Sequence, residues 1–109
     1  MSNPDLPAPI ASYFTMDRSK SFAKAAECFA ANAVVRDEKR SIEGIPAIVN
    51  WKQESHLKYA YTAEPLSIIE DEGKHRVVVK VSGQFPGSPL NLTYVFRLVN
   101  NKISYLEIS

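Results

Sequence analysis

Few side chains in this chain of 109 residues could do covalent or proton-transfer chemistry, and their types narrow what that chemistry would be. The one cysteine, Cys28, stands next to Phe29 with no partner base suggested nearby, so it reads as a small buried hydrophobe. It also leaves no internal disulfide and no multi-cysteine zinc site. The two histidines, His56 and His75, fall beyond Trp51 and in the turn sequence DEGKH, and both are expected to be exposed. Asp37 belongs to the polar run RDEKR. Two environments are open to it. Against apolar walls its carboxyl would titrate high, whereas in the solvated run it pairs with Arg36 or Lys39.

No glycine-rich phosphate loop and no cluster of metal ligands is present in the sequence, so no cofactor and no metal is expected. Thirteen basic against twelve acidic residues give a formal charge of +1, too little to favour nucleic acid or an anionic membrane. No apolar run approaches the ~20 residues of a membrane helix. The N-terminal MSNPDLPAPI lacks a charged start and apolar centre, so a cytoplasmic protein is expected. The length suits one domain over 1–109, with residues 1–7 expected to be flexible.

The elements that must position these groups follow from spacing. Ile10, Tyr13, Phe14 and Asp17 lie at i, i+3, i+4 and i+7, and the first three make the apolar stripe of a helix over 8–16 that opens at Pro7 and Pro9. Phe22, Ala25, Ala26 and Phe29 repeat the spacing and predict a second helix over 19–31, with Asn32 as terminator. Residues 33–38 read as a short strand and Arg36 to Arg40 as a loop. Gly44 and Pro46 introduce a third helix that ends near Lys58. Thereafter 61–70, 76–85, 90–99 and 102–109 are rich in β-branched and aromatic residues. DEGK at 71–74, FPGSP at 85–89 and Asn100-Asn101 separate them, with Pro86-Gly87 suited to the centre of a type II turn. Such short links force antiparallel neighbours, and Pro65 marks a bulge or an edge.

Alternation places Leu90, Leu92, Tyr94, Phe96 and Leu98 on one face, and likewise Val77, Val79, Val81, Gly83 and Phe85. Helices bringing Tyr13, Phe14, Phe29 and Trp51 over these faces would enclose an aromatic cavity for a small apolar ligand. Tyr59, Phe85 and Phe96 are further candidate walls. For each of these aromatics, plain core packing is the competing account.

The segments SYF (12–14), ECFAANAVVRD (27–37), EGIPAIVNW (43–51), SGQFPGSPLNLTYVFRL (82–98) and KISYLEI (102–108) resemble the nuclear transport factor 2-like superfamily, and within it the SnoaL-like, polyketide cyclase-like group. FPGSP with the strand after it resembles a narrower, uncharacterised subgroup. The resemblance implies an α+β fold: a cone-shaped barrel, its strongly curved antiparallel sheet wrapped around three N-terminal helices, often dimerised through the outer sheet face. It implies a base role for Asp37 and an oxyanion-holding role for Tyr13, as in ketosteroid isomerases. Tyr94 stands where those enzymes carry a second acid, so an oxyanion pair of Tyr13 and Tyr94 would be a different site. Glu107 is the one acid on the last strand, able to line the pocket or face a dimer partner. Two readings follow: cofactor-free proton transfer next to a carbonyl on a small apolar molecule, of isomerase, cyclase or dehydratase type, or a non-catalytic homodimer that binds such a molecule.

Overall fold

Pro7 and Pro9 lack N–H groups that the first turn of a helix leaves unpaired in any case, and helix α1 runs from Ala8 to Ser19, where Lys20 ends it in the left-handed region. The structure, a computed structural model, describes residues 4–109. Part of the segment expected to be flexible, residues 1–3, lies outside the described residues. Helix α1 buries Ile10, Tyr13, Phe14 and Met16, as its stripe requires, and also Asp17.

The second helix is far shorter than its spacing predicts. A 3-10 turn at Phe22–Lys24 leads into a single helical turn, α2, at Ala25–Cys28, and strand β1 takes over from Phe29 to Asp37. The same Phe29 that completes a helical stripe also opens a strand whose buried positions are Phe29, Ala33 and Val35. Long-range pairing of β1 with the last strand outweighs the local helical preference of FAANA, which is a tertiary effect that local spacing does not carry.

The charged run RDEKR is likewise a hairpin and not a loop. Glu38 and Lys39 both adopt positive φ, 51° and 64°, and turn β1 directly into β2 at Arg40–Glu43. Helix α3 spans Ile45–Tyr59, opened by Gly44 at φ 86° and closed by Ala60 in the left-handed region. Strands β3 (Thr62–Asp71), β4 (Lys74–Ser82), β5 (Leu90–Val99) and β6 (Lys102–Ile108) follow. Their turns keep the expected chemistry: Gly73 and Gly87 have positive φ, as do Asn100 and Asn101. Ser88 N–H donates to Phe85 O across Pro86-Gly87. Pro65 stands at a register shift on the edge strand β3.

The sheet order is β2-β1-β6-β5-β4-β3. Its sequential neighbours are antiparallel, but β1 and β6 run parallel, so the sheet is mixed. The sheet is strongly curved and open, not closed into a barrel. Its inner face presents Val77, Val79, Val81, Tyr94, Phe96, Ile103 and Leu106 to the helices, all buried. No helix among the described residues is long and apolar enough to cross a membrane.

Candidate active site

A cavity of about 580 Å³ opens between α3, the β1–β2 turn and the inner face of β4 to β6. Helix α3 contributes Trp51, Ser55 and Tyr59, one turn apart on one side. Asp37 and Glu38 enter from the end of β1, Leu90, Leu92 and Tyr94 from β5, and Phe85 with Pro86 from the turn before it. Tyr61, in the link between α3 and β3, completes the wall. Gly83 fixes that link: a Cβ there would lie 2.7 Å from Tyr59 O and 2.8 Å from Tyr61 Cα. Gln84 N–H donates to Tyr59 O at 2.7 Å across the same approach. Among the described residues the lining carries two carboxylates and no lysine or arginine.

Asp37 is the acid with an environment suited to proton transfer. Burial pushes its carboxyl above the usual carboxylate range, Trp51 works against that by hydrogen bonding, and Glu38 adds to the rise. Trp51 Nε1–H donates to Oδ2 at 3.0 Å, and among the described residues no donor reaches Oδ1. Tyr94 faces the same cavity, 2 % exposed, with no protein partner for its hydroxyl among the described residues. Burial raises Tyr94 well above an ordinary phenol, so it remains a protonated donor. Glu38, at the rim, accepts a hydrogen bond from the Tyr59 hydroxyl at 2.8 Å.

A second polar cluster lies behind the wall. Lys52 Nζ is fully buried and pairs with Asp17 Oδ1. It also donates to the hydroxyls of Tyr13 at 3.0 Å and Tyr61 at 2.7 Å. His56 Nε2 meets the same Asp17 oxygen at 2.9 Å, and the Tyr61 hydroxyl donates to it at 3.2 Å. Burial works to raise Asp17, but Lys52 and His56 outweigh it and hold the carboxyl below its ordinary value. Burial lowers the Lys52 ammonium, with Asp17 opposing.

The structure therefore gathers Asp37, Tyr94, Trp51, Tyr59 and Phe85 around one cavity, and it sets the other expected site residues elsewhere. Tyr13 is fully buried behind the wall and bonded to Lys52; it makes no hydrogen bond with Asp37 or Tyr94. Phe14, Phe29 and Phe96 pack on Tyr13 at centroid distances of 5.1, 5.9 and 5.6 Å and form buried core, outside the cavity lining. Neither histidine is freely exposed. His56 is 7 % exposed, stacked on Tyr61 at 4.1 Å and against Phe22 at 5.0 Å. His75 lies on β4 and is half-buried, 3.8 Å from Glu70. Glu107 is exposed on the outer face, accepting from Tyr105 at 3.0 Å. Cys28 is buried, its thiol pushed up to about 11 by burial.

Sequence reasoning missed Tyr61, Lys52 and the role of Asp17. A signal existed for the last two. Asp17 sits at i+7 of the α1 stripe, and Ile48, Trp51, Lys52 and Ser55 share the i, i+3, i+4, i+7 spacing on α3. An acid and a base on the inner faces of two helices can only be buried as a pair. Among the described residues, no three His, Cys, Asp or Glu side chains converge as a metal site.

No protein-family model matches the chain, and no curated protein matches it. Solved structures do. A candidate polyketide cyclase of Sinorhizobium meliloti is 41% identical over 96% of each chain and superposes with a TM-score of 0.92. The epoxide hydrolase/cyclase-like enzyme SalBIII, involved in pyran ring formation in the polyether salinomycin, is 21% identical, with 93% of this chain and 86% of that one covered and a TM-score of 0.77. A candidate isomerase of the SnoaL-like family from Agrobacterium tumefaciens is 14% identical, with 93% and 92% covered and a TM-score of 0.75. The last two show the shared fold. With its parallel β1–β6 pair, curved open sheet and helices on the inner face, the chain has the fold of nuclear transport factor 2-like and SnoaL-like proteins, and with a relative at 41% identity along nearly its whole length it belongs to the polyketide cyclase-like family.

Proposed function

We propose that this protein binds a small, largely apolar molecule bearing a carbonyl and moves a proton at the carbon next to it, without a cofactor. The observation that carries the reading is Asp37: a carboxylate in a mostly apolar cavity, its pKa raised by burial, with one oxygen held by Trp51 and the other free. Oδ1 accepts the carbon-bound proton while the C–H electron pair delocalises onto the carbonyl oxygen. The Tyr94 hydroxyl donates to that oxygen as it becomes negative. Return of the proton to a different carbon isomerises the molecule; capture of the enolate by an electrophile in the same molecule closes a ring. Leu90, Leu92 and Phe85 give the cavity apolar walls, which strengthen both interactions by lowering the local dielectric.

Tyr13, first expected to hold the oxygen, has no part in this reading, since its fully buried side chain does not line the cavity. A homodimer through the outer sheet face goes with the proposal. That face mixes half-buried Val78, Thr93, Val95 and Tyr105 with exposed Lys80 and Arg97, a composition suited to a subunit interface. A cytoplasmic location also goes with it, the lone cysteine Cys28 requiring no oxidising compartment.

The test follows hydrogen exchange on carbon. 2-Tetralone and cyclohexenone are incubated with the protein in D2O, and loss of the α-proton signals is followed by NMR. The proposal expects exchange faster than buffer in the wild type and at the buffer rate in Asp37→Asn. Exchange at the buffer rate in both proteins, with binding retained, would leave a non-catalytic ligand-binding domain, and equal exchange above that rate would remove Asp37 as the base.

A further inference from the structure

Among the described residues, Tyr61 is the one side chain that both lines the cavity and belongs to the buried Asp17–Lys52–His56 cluster. We infer that Tyr61 is a second hydrogen-bond donor to the oxygen that gains charge in the cavity, and that Lys52 is its positioning residue. The inference rests on the proton-transfer reading of Asp37 and adds to it the group that faces the product oxygen.

Three features of the geometry carry it. Lys52 Nζ donates to the Tyr61 oxygen at 2.7 Å, which fixes the hydroxyl and, by polarising it, makes its own hydrogen a better donor. That hydrogen now reaches Asp17 Oδ1 at 3.2 Å, long for an O–H···O bond, whose usual separation is about 2.7–2.8 Å. A substrate oxygen that gains charge in the cavity competes with this long bond as a charged acceptor. When the hydroxyl turns to it, Asp17 Oδ1 still holds Lys52 and His56, so no buried charge is stranded by the exchange. Burial keeps Tyr61 protonated throughout, so it serves as a donor and not as an acid that gives up its proton. The ring is held independently, stacked on His56 at 4.1 Å, and its backbone is fixed by the close approach at Gly83.

The test uses substituted benzisoxazoles as probes. A base takes the C3 proton, the C–H electron pair becomes part of the nitrile, the N–O bond breaks, and the electrons end on a phenolate oxygen. The coloured phenolate reports the rate. Replacing the Tyr61 hydroxyl is expected to lower kcat/KM by about tenfold or more for the more basic leaving groups and less for the nitrophenolate, steepening the dependence of rate on leaving-group pKa. Lys52→Met is expected to steepen it in the same way. A uniform loss across the series in Tyr61→Phe, or no loss, overturns the inference. Should Lys52→Met fail to fold, Tyr61→Phe decides alone, since it preserves the ring and the ion pair.

A separate measurement removes the dependence on Asp37. The Asp37→Asn protein is titrated with 4-nitrophenolate, with and without Tyr61→Phe. The inference expects about tenfold weaker binding without the hydroxyl; equal affinity overturns it. Turnover absent from the wild type, with the phenolate result intact, would instead count against the base role of Asp37 alone.

Discussion

The indole of Trp51 donates its Nε1–H to Asp37 Oδ2 at 3.0 Å, a hydrogen bond that ties the middle of α3 to the end of β1. It joins two opposed effects on one carboxylate. The apolar surroundings drive Asp37 toward protonation, and the indole favours the ionised form while fixing its orientation. The result is a carboxyl whose pKa is raised and whose orientation is held by one hydrogen bond.

Removing the indole N–H while keeping an aromatic wall should therefore raise the Asp37 titration further. A hydrogen bond to a charged group contributes ~1.5–3 kcal/mol, so Trp51→Phe is expected to raise the midpoint by about one to two units. NMR of the side-chain carboxyl carbon reads it directly; an unchanged midpoint would show the bond to be of no electrostatic consequence.

The buried pair behind the wall predicts a stability pattern. Lys52→Met leaves Asp17 ionised with only His56 and Tyr61 as partners, and is expected to cost about 3–5 kcal/mol by denaturant unfolding. Pairing it with Asp17→Leu should recover most of that loss, because no unpaired charge then remains. Equal stability of single and double variants would contradict the account.

Asp17 also sets a pH dependence. Its folded pKa lies below the ordinary value of 3.8, so its contribution to stability is present above that value and is lost as pH falls through the lower, folded one. Asp37 works in the other sense: its folded pKa is raised, so protonation on acidification relieves a penalty. Unfolding measured from pH 7 downward should therefore show Asp17→Asn losing less stability with acid than the wild type, and Asp37→Asn losing more.

Gly83 predicts the cost of disturbing the wall from outside the cavity. A methyl group there meets backbone atoms at 2.7 and 2.8 Å, which cannot swing aside as a side-chain tip would. Gly83→Ala is expected to destabilise by about 1–3 kcal/mol and to displace Tyr59 and Tyr61. Calorimetry and the ring resonances of the two tyrosines check this.

The turns were legible in the sequence because they are local: Asn100-Asn101 and Pro86-Gly87 supply the positive φ that their hairpins need. The faces of β4 and β5 were legible from alternation, and Trp51, Tyr59, Phe85, Tyr94 and Asp37 do meet at the cavity. What stayed hidden depends on distant parts of the chain. Phe29 opens a strand because β6 is there to pair with it, and the parallel β1–β6 register has no signature in either segment. Glu38-Lys39 lacks the glycine or asparagine that usually marks a two-residue turn. Tyr13 left the candidate site because its ring packs on Phe14, Phe29 and Phe96 in the core and does not reach the cavity lining.

The central claim is that Asp37 is a base made ready by its surroundings, and its own titration tests that most directly. With the carboxyl carbons labelled, the account predicts an Asp37 midpoint clearly above 3.8 that drops when Leu92 is replaced by Asn to admit water. A midpoint at or below 3.8, unmoved by Leu92→Asn, would contradict it.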